Sequence, residues 1–94
     1  MIHEKDLATS RPEFFRNLAI ALQGMAHEID GDHITVGTGA KTIAMHLTPL
    51  PPRVLSPLLK LERWKLTMQF NGHTDTSRDE FLAVFDQAFR RGGG

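Results

Sequence analysis

The residue types that could carry chemistry in this chain lie on alternate positions of three extended segments. His33 and His46 belong to two neighbouring segments, and Arg63 and Lys65 belong to a third. Imidazoles bind metals and exchange protons near neutral pH, whereas guanidinium and ammonium groups bind carboxylates and phosphates. The pattern therefore indicates two hypotheses, a polar binding face and a metal site.

The first hypothesis is a binding face that performs no catalysis. Alternation predicts that one polar face of a sheet presents these candidate binding residues: His33, Thr35, His46, Arg63, Lys65 and Gln69, with Thr42 and Thr67 among them. Such a face could attract a small anion, a phosphate group or an acidic protein. No aromatic side chain is expected there for bases to stack on, which disfavours nucleic acid as a partner. The alternative is a solvated sheet face without a ligand.

The second hypothesis is a metal-binding protein, or a small metal-assisted enzyme. If His33 and His46 are opposite each other on adjacent strands, their Cβ atoms lie about 5 Å apart, which allows chelation. A third ligand could come from Asp32, His27 or Glu28. The chain contains no H-E-x-x-H spacing and no complete nucleophile triad. The sequence therefore favours binding over catalysis, and we predict no catalytic residue and no cofactor.

Two further motifs have simpler structural explanations. His73 and Asp75 precede the last helix, where they could bind an anion or take part in proton transfer. Asp75 and Thr76 are more simply turn residues that support a helix cap at Ser77. The sequence G-T-G-A-K at residues 37–41 lacks phosphate-loop spacing, and its residues are typical of a hairpin.

Composition narrows the class of protein. The 94 residues suffice for one domain, and 11 basic and 11 acidic residues give a net charge of zero. The chain has no cysteine, which excludes disulfides and thiolate metal sites. It has no signal-like segment and no run of about 18 apolar residues, so we predict no membrane association and a cytoplasmic location.

Strands and helices must position these residues. Trp64, Leu66, Met68 and Phe70 alternate with polar residues, which predicts a strand over residues 61–70. A two-residue turn at Gly39-Ala40 would place Val36 opposite Ile43, Ile34 opposite Met45, and His33 opposite His46. Apolar spacing and capping boxes predict a first helix from Arg11 to Gln23, ended by Gly24, and a second helix from Ser77 to Gly92.

Two segments between these elements are less regular. Residues 24–33 either continue the first helix to Glu28 or form a short strand, Ala26–Ile29, that turns at Asp30-Gly31; we favour the strand. Residues 49–59 contain four prolines among leucines and valine, which argues against a helix or a central strand. We predict a packed connection that closes the core, with an apolar contact surface for a partner as the alternative.

The expected fold is an α+β two-layer sandwich. Its order is helix, antiparallel meander of three to four strands, helix, with both helices on one face of the sheet. Residues 1–9 are a partly ordered lead-in, residues 10–91 form the domain, and residues 92–94 form a flexible glycine tail. The expected function is that of a small soluble interaction domain. It would bind a protein partner or form a homodimer through the polar sheet face, the proline-rich connection, or both.

Overall fold

The computed structural model describes residues 2–92 and contains one five-stranded sheet with two helices. The elements in chain order are β1 (Ile2–Ala8), α1 (Arg11–Ala21), β2 (His27–Asp30), β3 (His33–Thr38), β4 (Lys41–Ser56), β5 (Leu59–Asn71) and α2 (Asp75–Gly92). The strands lie side by side in the order β1-β5-β4-β3-β2, and every neighbouring pair is antiparallel. The predicted α+β class is confirmed, with five strands instead of three to four.

The additional strand is β1, where the sequence predicted only a partly ordered lead-in. It pairs with β5 along its whole length, from Ile2 opposite Gln69 to Ala8 opposite Arg63. Its residues alternate between exposed and half-buried positions, as in any strand with one packed face. Leu7 is the only apolar side chain of β1 that packs against the core, so the strand has no alternating apolar pattern.

The hairpin of β3 and β4 has the predicted register, with Val36 opposite Ile43 and His33 opposite His46. The preceding strand is also confirmed, since β2 covers His27–Asp30 and no helix continues there. Its turn lies one residue later than predicted. Because Asp30 pairs with His33, the turn residues are Gly31 and Asp32.

The predicted N-cap residue is confirmed for α1 and is wrong for α2. In α1, the predicted cap forms, since the Ser10 hydroxyl accepts the Glu13 amide at 3.3 Å, although the helix ends at Ala21 and not at Gln23. In α2, the cap is Thr74 and not Ser77. Thr74 Oγ1 accepts the Ser77 amide at 3.1 Å, and Ser77 Oγ accepts the Thr74 amide at 3.0 Å. Ser77 therefore occupies the position that glutamate has in a standard capping box.

One buried cluster joins the sheet to both helices. Its members come from the helices and from alternate positions of β3, β4 and β5: Phe14, Leu18, Ala21, Leu22, Ile34, Val36, Ile43, Met45, Leu47, Leu66, Met68, Phe70, Phe81, Phe85 and Ala88. The strand residues named by the sequence analysis for this face are all present except Trp64, which is only partly buried at the margin. Its indole Nε1 donates to Glu62 Oε1 at 2.7 Å, and the same oxygen accepts the Arg11 amide at 3.2 Å.

The proline-rich segment does not close the core, and that prediction was wrong. Strand β4 continues to Ser56 and β5 begins at Leu59, so the two strands form a ribbon that extends beyond the sheet. We call residues 51–61 the arm. Strand β1 ends opposite Arg63, and β3 begins opposite His46. In the described part of the chain, no third strand therefore supports the arm, and all its residues are exposed.

The prolines are compatible with this ribbon because of where their missing amides would point. The Leu47 amide donates to Asp32 at 2.9 Å, on the β3 side of β4. Pro49 lies two residues further along, so its nitrogen faces the same side and no bond to β5 is lost. Pro51 and Pro52 lie in the register shift between Leu50 and Arg53, where the ladder is already interrupted.

The remaining predictions concern the chain end and the membrane. Gly92, predicted as the first residue of the glycine tail, belongs to α2, and residues 93–94 of that tail lie outside the described residues. Within residues 2–92, neither helix combines the length and the apolar composition that crossing a membrane requires.

Candidate functional site

The polar residues predicted to share a face do lie together on the outer face of the sheet, opposite the buried cluster. Cross-strand pairing sets His33 beside His46 and His46 beside Thr67, while Thr35 and Gln69 flank Ala44 in the next row. Strand β1 extends these rows, because Glu4 lies opposite Thr67. The structure therefore brings the candidate residues together, and it adds acidic neighbours that the sequence analysis missed.

These acidic neighbours pair with the two cations of the outer face. Glu4 Oε2 lies 2.5 Å from Lys65 Nζ, and Asp6 Oδ2 lies 3.7 Å from an Arg63 guanidinium nitrogen. The hydrogen bond and the charge of Glu4 raise the pKa of Lys65 above its ordinary value. Because both cations have carboxylate partners, the outer face is not the open basic patch that the sequence suggested. The spacing of Glu4 and Asp6, which matches that of Lys65 and Arg63, is the signal that could have revealed β1.

The two histidines of the outer face are in contact, but their geometry is that of stacked rings. Their centroids are 4.3 Å apart and their planes differ by 4°. Nitrogen lone pairs lie in the ring plane, so in parallel rings they run side by side and do not converge on one metal. Two of the three predicted third ligands are engaged elsewhere: Asp32 accepts two bonds from Arg11, and His27 Nδ1 contacts the Met25 carbonyl. The third, Glu28, lies on β2 opposite Thr35. The described residues contain no group of three potential ligands.

The arm is an apolar surface exposed to solvent. Its tip residue Leu58 is 99% exposed, and Val54, Leu55 and Leu59 are exposed around it. The only charged residues from 50 to 61 are Arg53 and Lys60, so the arm carries two positive charges and no negative one. A two-stranded ribbon without a covering layer is only marginally stable in water. Contact with another surface would bury these side chains.

A cavity of about 540 Å³ lies at the opposite end of the sheet, where α2 begins. Its apolar lining consists of Met25, Ala26, Val36, Ile43, Phe81 and Val84. Its polar lining includes Lys41, His73, Ser77 and Glu80. The sequence analysis named only His73 of this lining, as a residue that could bind an anion or transfer a proton, and it did not predict the cavity, because the lining comes from four separate parts of the chain.

His73 is the titratable group most affected by this environment. Its Nδ1 lies 3.1 Å from Ser77 Oγ, and its ring contacts the edge of Phe70 with centroids 5.4 Å apart. Burial lowers the pKa of His73 below its ordinary value, and the positive charge of Lys41 lowers it further. These surroundings therefore favour the neutral form of the imidazole.

We expect the NMR titration of His73 to have its midpoint below 6.5, the ordinary value for histidine. Because the unfolded chain then takes up the proton first, the stability that neutral His73 contributes is present above pH 6.5 and is lost as the pH falls through the lowered pKa. Lys41→Met should move the midpoint upward, since it removes one of the two causes. A wild-type midpoint at or above 6.5 would contradict this environment.

No protein-family model, curated protein or solved structure matches the chain. A function for this domain therefore has to be argued from its surfaces.

Proposed function

We propose that this domain is an interaction module that binds another protein through the arm, residues 51–61. The supporting observation is that Val54, Leu55, Leu58 and Leu59 are exposed together on a ribbon that projects from the sheet. Burying one such side chain contributes roughly 1.5–3 kcal/mol. A few apolar side chains at the centre of an interface can supply most of its affinity.

The charge of the arm specifies the chemistry of the partner. Arg53 and Lys60 flank the apolar tip, so a complementary surface combines an apolar groove with carboxylates at its edge. A second copy of this chain is a less complete match at the cavity, because its lining carries one carboxylate, Glu80, and one cation, Lys41, against the two positive charges of the arm. A homodimer is therefore a distinct outcome of the experiment below.

The partner would contact side chains of the arm more than its β4 edge. Pro49 has no amide hydrogen on that edge, and the ladder is interrupted at Pro51 and Pro52. Prolines and bulges on an edge oppose the addition of a further strand. This favours a groove that receives the tip over an extension of the sheet.

The outer sheet face is the secondary contact surface in this proposal. Arg63 and Lys65 already have carboxylate partners, so binding of a small anion there would require these ion pairs to open. The alternative, metal binding by His33 and His46, would require at least one ring to rotate out of the stack. In this proposal the domain binds its partner without catalysing a reaction and without a cofactor. The lack of cysteine supports a reducing compartment such as the cytoplasm.

The test places a photoreactive amino acid either at Ser56 in the arm or at the exposed Gln87 of α2 as a control, and identifies the proteins that each position cross-links in the source cells. We expect the arm position to capture a protein whose cross-linked segment contains apolar and acidic residues. The triple variant Leu55→Ser, Leu58→Ser, Leu59→Ser should reduce this capture at least tenfold. The double variant Arg53→Glu, Lys60→Glu should reduce it as well, because it reverses both charges.

The matched control replaces three exposed apolar residues outside the arm: Ile2→Ser, Ile20→Ser and Ile29→Ser. This control should retain full capture. Equal capture by the arm variant, or loss of capture only in the control, would overturn the proposal. Cross-links between two copies of the chain, together with a dimer in sedimentation, would replace the acidic partner with a homodimer.

A further inference from the structure

The cavity near the start of α2 combines an apolar floor with a polar rim. Val36, Ile43 and Phe81 form the floor and are buried, with exposed fractions of 4%, 2% and 6%. Met25 and Val84 line the same cavity but are exposed, which places apolar side chains at its mouth. The volume of about 540 Å³ falls within the range of roughly 300–1,000 Å³ that is typical of small-molecule sites.

One ammonium group in the lining has no carboxylate partner. Lys41 forms no ion pair with any residue of the described chain, whereas Lys5 and Lys65 each do. A cation beside an apolar cavity is suited to a ligand with an anionic head and an apolar body, because the head gains a charge-assisted hydrogen bond while the body leaves water.

The neighbouring groups limit the charge of such a head. Glu80 lies in the same lining and repels negative charge, while the neighbouring Lys41 and partial burial favour the uncharged form of His73. With a single cation and a nearby carboxylate, the site suits a monoanion such as a carboxylate better than a phosphate dianion.

We propose that this cavity binds a small amphipathic carboxylate, with the carboxylate at Lys41 and the apolar chain against Val36, Ile43 and Phe81. This site is separate from the arm, which lies at the other end of β4, so it does not depend on the interaction proposed above. It assigns to the domain a ligand site in addition to a protein-binding surface.

The test is an NMR titration of the full chain with octanoate below the concentration at which micelles form. We expect saturable shifts of the Val36, Phe81 and Val84 amides, and weaker binding of 1-octanol and octylamine to the same residues. Lys41→Met should weaken octanoate binding about tenfold, to the level of 1-octanol, while leaving 1-octanol binding unchanged. Inorganic phosphate should cause no saturable shift at these amides.

The matched control is Lys60→Met, the same substitution in the arm, which should leave octanoate binding unchanged. Thermal unfolding of both variants checks that each is folded. Equal weakening by Lys41→Met and Lys60→Met, equal binding of octanoate and octylamine, or no saturable shift in the wild-type chain would each overturn the proposal. Failure of the arm experiment would leave this result unaffected.

Discussion

Replacing Gly72 by alanine is expected to lower the free energy of unfolding by roughly 2–5 kcal/mol, from a left-handed backbone penalty of about 1–2 and overpacking of about 1–3. Gly72 follows β5 with a φ of +72°, and an added Cβ would overlap the carbonyl oxygen of Ala40 in the neighbouring hairpin turn. The obstacle is backbone, so no side-chain rotation relieves it. Urea denaturation followed by circular dichroism measures the loss.

Gly39 provides a closely matched control. It has the same φ of +72°, but no atom lies within 4 Å of the Cβ that alanine would add. Gly39→Ala should therefore cost only about 1 kcal/mol, since the conformational penalty is partly offset by the reduced freedom of the unfolded chain. Equal losses for the two substitutions would show that overlap of the added Cβ with Ala40 does not add to the cost of the Gly72 substitution.

Phe85→Ala should lower the free energy of unfolding by about 3–5 kcal/mol, the usual cost of removing a large aromatic side chain from a core. Phe85 is fully buried, and its ring stacks on Phe89 with centroids 4.2 Å apart. Phe81 also lies against this ring, with centroids 6.2 Å apart, so the truncation removes contacts with two neighbouring aromatic rings. The same denaturation measurement applies.

Leu58→Ala removes an apolar side chain at the tip of the arm and serves as the control. Leu58 is 99% exposed, so the free energy of unfolding should change by less than about 0.5 kcal/mol. A loss at Leu58 comparable with that at Phe85 would mean that the arm folds back onto the body. That result would also remove the basis for a free interaction surface.

The hairpin of β3 and β4 illustrates what the sequence can predict. Its register depends on two local features, a turn containing Gly39 and an alternation that places Val36 opposite Ile43, and both are visible without knowing the rest of the fold. Strand β1 is the opposite case. Three consecutive charged residues, Glu4, Lys5 and Asp6, occupy its centre, so it shows no apolar alternation, and its pairing with β5 is accompanied by ion pairs such as Glu4 with Lys65.

The arm was mispredicted for a different reason. Proline disrupts a strand only where its amide would have formed a ladder bond, and that requires a neighbouring strand on the side that the amide faces. The Pro49 nitrogen faces the β3 side of β4, but β3 begins opposite His46 and therefore does not extend as far as Pro49. An apolar segment also gives no direct indication of burial, so Leu58 was expected inside the core and lies outside it.

The outer face and the cavity also differ in how much of each the sequence can predict. The residues of the outer face could be assigned from alternation, but the ion pairs that neutralise its cations required the position of β1. The cavity could not be found from sequence periodicity at all. Met25, Val36, Ile43 and Phe81 come from separate segments, and each one alone is typical of a core position.

The position of Trp64 has a consequence for optical measurements. The chain contains one tryptophan and no tyrosine, so its intrinsic fluorescence comes almost entirely from a single indole. That indole lies where the arm leaves the body, opposite Pro49, and its N–H is bonded to Glu62. The domain thus carries its own emission probe at the root of the arm, and ligands that act only at the distant cavity leave that probe in unchanged surroundings.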